Sequence, residues 1–443
     1  MLFRQLCLLL IPAALAQQCA SSRHCNAPNS FSGRNVTSMA SANAPEYWAS
    51  SGFDATLRAG FISGVDAARA FLGSAADVGG IFLESGGASD AVYEAARVAF
   101  CTHIERGGDS NCLKDDITKA RAASHGSYYM TSSSLKCKCG HYVSGSVGLV
   151  TLAGPNDDAS GMYDRAVHEY THAVQMAMGG PLPNWLVEGG AVLNECILGT
   201  IKPSNGVAFS ECLKFGGGGG GITQKTVELY TSGAAASGGV AALAGSTKFL
   251  TLYGSDRGCY PQNVPAFQQS NPLPDPEGSV GRKLWYDTGA AAILYAVYKA
   301  NLNHAGSGGR TVVDFWTGKG SKGFWHAITP YVVDPVTGWA SDVPEGLGWK
   351  KAFADFVGYA TVAEFYADFE AAVRPNGAPI TEAGILAWAR ADSEYVTYAQ
   401  TVAGFGTRDP TAPPGGECTS GASAAAATSV AAMLAVAITV SLL

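Results

Sequence analysis

Residues 162–195 read MYDRAVHEYTHAVQMAMGGPLPNWLVEGGAVLNE. The stretch holds His168-Glu169-Tyr170-Thr171-His172, an HExxH pattern, followed by Pro183-Asn184-Trp185-Leu186-Val187-Glu188-Gly189-Gly190-Ala191. Side chains at i and i+4 of a helix lie one above the other, so both imidazoles can reach one metal ion. Glu169 projects to one side of them, where its carboxylate can take a proton from water. Sixteen positions beyond His172, Glu188 offers a third ligand. Three protein ligands leave the fourth tetrahedral position open, the arrangement of a catalytic rather than a structural zinc.

The flanking residues predict two helices. Asp157, Asp158 and Ser160 are N-cap candidates. Val167, Tyr170, Ala173, Val174 and Ala177 form an apolar stripe, and Gly179-Gly180 is a stop. Pro181 and Pro183 force a break before a second helix begins near Asn184 or Trp185. Seven residues apart, Glu188 and Glu195 fall on nearly the same face of it.

HEYTH followed by PNWLVEGGA resembles the gluzincin metallopeptidases, especially the aminopeptidase N and leukotriene-hydrolase-type branch. The resemblance spans roughly residues 145–300. It implies an α+β, zincin-like catalytic domain with a small sheet, an active-site helix and a mainly helical C-terminal subdomain. It also implies one zinc ion per chain, held by His168, His172 and Glu188, with Glu169 as general base in peptide-bond hydrolysis. Tyr286-Asp287-Thr288-Gly289-Ala290 is similar to the family's YxKGA segment, which makes Tyr286 a second catalytic residue, donating to the tetrahedral oxyanion. Here Thr288 stands where the family has Lys, the gap from His172 to Glu188 is short, and that from Glu188 to Tyr286 is long. Glu195 and Asp164 are candidate acceptors for a ligand histidine N–H, and Glu195 is the fallback third ligand.

The substrate is expected to be a protein or peptide. In the resembled aminopeptidases an acidic GxMEN motif holds the free amino group, and no acidic equivalent lies between Cys139 and Pro155. That favours an endopeptidase. The alternatives are an aminopeptidase and a non-catalytic cell-surface binding protein that retains a metal site. Tyr142 to Leu152 reads as a strand, and Ser146-Val147-Gly148-Leu149 is the candidate edge for pairing an extended substrate.

The ends of the chain suggest a surface-anchored secretory protein. Arg4, the apolar run Leu6 to Leu15 and Ala14-Leu15-Ala16 make residues 1–16 a signal peptide. Of 11 cysteines, Cys7 leaves with it, and the remainder read as disulfides formed under oxidising conditions. Cys19–Cys25, Cys101–Cys112 and Cys196–Cys212 are the near-neighbour pairings; Cys137-Lys138-Cys139 with His141 also reads as disulfide chemistry rather than a second metal site. Asn35-Val36-Thr37 is a glycosylation sequon at Asn35. The apolar tail from Val430 to Leu443 follows small residues, the layout of a GPI-anchor signal with attachment at Ser420 or Gly421. The expected location is the extracellular face of the cell membrane, through that C-terminal lipid anchor; a single-pass anchor or free secretion is the alternative. Net charge is −7 with no basic cluster, which excludes nucleic acid as a partner. No feature specifies an oligomeric state.

Between these ends, residues 17–50 read as an extended lead-in and 51–198 as the N-terminal subdomain with the active-site helices. Ala55 to Phe71 and Ser89 to Ile104 are scaffold helices within it. Residues 199–247 are Gly/Ala-rich, with Gly216 to Gly221 at their centre, and read as a surface insertion with little to bury. Residues 248–408 form a helical C-terminal subdomain. It opens with a loop to residue 284 and continues with helices at Leu284–Asn301, Thr311–Trp316, Gly323–Ile328 and Trp349–Tyr359. Asp287 reads as a helix-start acid. Thr361-Val362-Ala363-Glu364 is a capping box for a helix to about Val373. His326 and the other isolated histidines read as core or surface residues. Residues 409–421 are a linker and 422–443 the anchor signal.

Overall fold

In a computed structural model, residues 45–389 are described, apart from 51–52, 73–77, 85–89, 105–107, 109, 122–125, 132–146, 179, 204–205, 217–220, 232–246, 251–282, 318–322, 326–330, 334–339 and 343–348. The expected signal peptide, Asn35, Cys19–Cys25, Cys137 to His141, His326, and Ser420 and Gly421 with the tail lie outside the described residues, as does most of the loop expected at 248–284.

A four-stranded sheet is built from β1 (Glu46–Ala49), β2 (Val78–Glu84), β3 (Gly126–Thr131) and β4 (Val147–Ala153) in the order β1-β2-β4-β3. β1, β2 and β4 are parallel and β3 is antiparallel to β4. Because strand side chains alternate, the sheet feeds two cores. Val78 and Phe82 with Leu149 and Ala153 face α1 (Ala55–Leu72) and the HExxH helix α4 (Ala159–Met178). Ile81 and Leu83 with Val150 and Leu152 face α2 (Asp90–His103) and α3 (Lys114–Arg121). The Cys101–Cys112 disulfide ties α2 to the turn just before α3.

The edge expected at Ser146–Leu149 is instead central. β4 lies between β2 and β3, with Gly148 to Ala153 buried. Its nearly continuous apolar run is what a strand covered on both faces requires. Among the described residues, the edge strand beside α4 is β3.

After α4, the prolines do end the helix, but residues Gly180–Pro183 then form β5, antiparallel to β6 (Thr247–Leu250). Next comes α5 (Asn184–Gly199). The 199–247 segment is more structured than its composition suggests. It carries α6 (Phe209–Phe215) and α7 (Ile222–Thr231), and Phe209, Leu213, Ile222, Leu229 and Tyr230 enter the main core. Cys196–Cys212 staples α6 to the end of α5. A few large apolar residues at helical spacing outweigh the glycines between them.

The C-terminal part is helical: α8 (Gly289–Asn303), α9 (Val312–Thr317), α10 (Trp349–Val357), α11 (Val362–Val373) and α12 (Glu382–Leu386), with a small hairpin of β7 (Tyr331–Val333) and β8 (Ala340–Asp342). The capping box forms, Thr361 Oγ1 accepting from the Glu364 N–H at 3.3 Å. Of the helix expected at Gly323–Ile328, only residues 323–325 are described; they are not helical, and the rings of Phe324 and Trp325 stack on Phe315 and Trp316. The fold is thus mixed α+β, mostly helical with a small four-stranded sheet and two strand pairs. Among the described residues, no helix is long and apolar enough to cross a membrane.

Candidate metal centre

Asp158, one of the expected caps, starts α4: its Oδ1 accepts from the Gly161 N–H at 2.7 Å. Asp157 instead pairs with Arg165 at 2.5 Å. Two glycines on α1 set how closely α4 packs. A Cβ at Gly60 would lie 2.3 Å from the Ala159 oxygen, and one at Gly64 would lie 2.4 Å from the Tyr163 oxygen. Backbone therefore meets backbone there, which holds the HExxH helix against the sheet layer.

At the start of α5, Trp185 is fully buried against Phe353 and Phe365, and its Nε1–H donates to the Tyr366 hydroxyl at 3.0 Å. One helical turn on, Glu188 reaches the two histidines. His168 Nε2 lies 3.4 Å and His172 Nε2 3.3 Å from Glu188 Oε2. All three ligand atoms lie within 4.8 Å of one another. A tetrahedral ion with N and O ligands at about 2.0–2.1 Å separates neighbouring ligand atoms by about 3.3–3.4 Å. The donor set therefore fits a metal ion.

The far sides of both rings are bonded. His168 Nδ1 is 2.5 Å from Glu195 Oε1, as expected for one of the two candidate acceptors. Asp164, the other, does not reach a histidine. It pairs with Lys202 Nζ at 2.7 Å, because on α4 it lies one turn before His168 and faces α5's far end. The partner of His172 is Gln175, whose Oε1 lies 2.9 Å from Nδ1. The sequence reading missed it; the available signal was its i+3 position on the same helix. Asn194 adds a further tie between the helices, donating to Thr171 Oγ1 at 3.2 Å.

Tyr286 also arrives at the site. Where an α-helix from Leu284 was expected, Lys283–Thr288 winds as a π-turn that leads into α8. Such turns recur at functional sites. The Tyr286 ring stacks on His168 with centroids 5.7 Å apart and planes 12° apart. Asp287 is buried, 3.8 Å from Lys225 of α7, rather than exposed at a helix start. The crossing that brings Glu188 and Tyr286 together is also set by glycine, here on both helices. A Cβ at Gly189 would lie 2.3 Å from the Gly289 carbonyl carbon, and one at Gly289 would lie 2.5 Å from the Trp185 oxygen.

The electrostatics follow from burial among carboxylates. Glu169 is 7% exposed. Desolvation raises its pKa; the positive charges of His168 and His172 oppose this, while Glu188 and Glu195 add to it. A carboxylate raised from its ordinary range is suited to exchanging protons near neutral pH. Burial would lower the His168 pKa, but its hydrogen bonds to the accepting carboxylates of Glu188 and Glu195 outweigh this and push it up to about 10. Asp164 is raised to about 6 by burial and then by Glu195, against the opposing pull of Lys202.

Comparisons of this chain with protein-family models, with curated proteins and with solved structures found no match.

Proposed function

We propose that this protein is a zinc-dependent metallopeptidase of the gluzincin type, built on a zincin-like domain and acting as an endopeptidase. One observation carries the reading: the ligand atoms of His168, His172 and Glu188 converge within 4.8 Å of one another beside a buried glutamate that is not needed to hold the ion. A site kept only for binding has no use for Glu169.

A zinc ion bound there supplies Lewis-acid chemistry toward a peptide carbonyl and acidifies water. The chain's own residues do the rest. Glu169 takes the proton of the attacking water and passes it to the leaving amine, a role that its raised pKa suits. Tyr286, held against His168, donates a hydrogen bond to the oxyanion that develops on the substrate. Glu195 orients His168 through Nδ1. The lack of an acidic anchor between Cys139 and Pro155 favours internal peptide bonds over free amino termini. A signal peptide at residues 1–16 and a lipid-attachment site at Ser420 or Gly421 put this activity on the outer face of the membrane.

The test is the metal content and casein cleavage of the wild type beside Glu169→Gln. One zinc per chain in both, with cleavage by the wild type alone, is the expected result. Zinc without cleavage in the wild type would favour a binding protein, and comparison of free with N-blocked peptides separates aminopeptidase from endopeptidase action.

A further inference from the structure

We infer that Gln175 is a positioning residue that dictates which nitrogen of His172 faces the metal. This rests on the proposed metal site and extends it to a side chain outside the HExxH and glutamate pattern. The inference follows from a one-way chain of hydrogen bonds. Backbone carbonyl oxygens only accept. Gln175 Nε2 lies 3.0 Å from the Val187 oxygen and 3.5 Å from the Leu186 oxygen, so the amide must turn its NH2 group toward α5. Its oxygen then faces His172 Nδ1 at 2.9 Å. An amide oxygen also only accepts, so Nδ1 carries the hydrogen. A neutral imidazole has one N–H, which leaves the lone pair on Nε2, the atom 3.3 Å from Glu188 Oε2.

Burial makes the arrangement exclusive. Gln175 is fully buried and His172 is 3% exposed, so solvent does not substitute for either bond. Gly190 keeps the space open, since a Cβ there would lie 3.0 Å from Gln175 Nε2. The two carbonyls belong to the residues just before Glu188. The same amide thus ties the helix bearing both histidines to the turn bearing the third ligand. Because the amide is neutral, it orients His172 without adding another negative charge beside Glu169, Glu188 and Glu195.

Two variants separate positioning from packing. Gln175→Met keeps the length but removes both bonds, whereas Gln175→Glu keeps an acceptor for Nδ1. The first readout is long-range 1H–15N NMR of His172 in chelator-stripped protein. The second is zinc affinity by competition with a chromophoric chelator. We expect a protonated, slowly exchanging Nδ1 in the wild type and its loss in Gln175→Met. Zinc affinity should fall about 10–100-fold in that variant, with Gln175→Glu closer to wild type on both readouts. A packing role would lower the melting temperature while leaving the Nδ1–H signal and zinc affinity unchanged, and that result would overturn the inference. So would an unprotonated Nδ1 in the wild type, a measurement that stands even if Gln175→Met does not fold. A wild type that keeps the Gln175-dependent Nδ1–H yet takes up no zinc would sink the metal reading and leave the tautomer assignment standing.

Discussion

Replacing Gly189 by Ala tests whether the glycine crossing sets the geometry of the site. The added Cβ would lie 2.3 Å from the Gly289 carbonyl carbon and 2.4 Å from the Ala290 nitrogen. Carbon atoms in contact sit about 3.5–4.0 Å apart, so α5 and α8 must separate by roughly 1 Å or more. Both obstructing atoms are backbone, and no side-chain rotation relieves them. Ala gains up to about 1 kcal/mol over Gly in a helix interior, while overpacking costs about 1–3 kcal/mol and occasionally more. The clash wins, and the net loss should be about 1–2 kcal/mol, a fall in melting temperature of roughly 1–3 °C for a chain of this size. Function should suffer more, since a 1 Å misplacement of catalytic groups can cost about 100-fold. Gly199→Ala is the control: it lies on the same helix, and a Cβ there meets nothing within 4 Å. Melting temperature, zinc affinity and casein turnover would be measured on both variants. If Gly189→Ala melts no lower than Gly199→Ala and binds zinc as the wild type does, the crossing does not position Glu188.

Tyr286→Phe keeps the ring stacked on His168 and removes only the hydroxyl; turnover should drop about 100-fold or more with zinc content unchanged. Equal turnover would remove Tyr286 from the mechanism. His168 is pushed up to about 10 in the absence of a metal, so zinc must displace its proton. Calorimetry at pH 8 in buffers of different ionisation enthalpy should show about one proton released per zinc. The stripped protein should also lose the stability gained from this proton as pH rises from about 6.5 to about 10. For Asp164 the folded pKa, about 6, exceeds the ordinary carboxylate value of 3.8. The folded chain then holds the proton more tightly, so Asp164 favours folding at low pH and this contribution is lost as pH rises toward 6. Urea titrations should show Asp164→Asn gaining stability relative to wild type between about pH 4 and 6; a constant difference would refute the assignment.

The sequence alone determined the local features of this protein. The i, i+4 histidines, the second helix after two prolines, the Glu188–Glu195 pair on one face and the Thr361 capping box all depend on spacing within one element, where helical geometry leaves little choice. The near-neighbour pairs Cys101–Cys112 and Cys196–Cys212 also proved bonded, since short separations limit what each cysteine can reach. Only the tertiary structure decided what depends on chain segments meeting. β4 became central because β3, distant in sequence from α4's motif, covers its other side. Residues 199–247 acquired a core role because α6 and α7 found apolar partners on other elements. Asp164 went to Lys202, and Gln175 took the place beside His172. Periodicity says which face of a helix a side chain occupies, but it does not say which of several acceptors on the neighbouring helix lies opposite. That depends on how closely two backbones approach, and here glycines set that distance, on one side of the α1–α4 crossing and on both sides of the α5–α8 crossing.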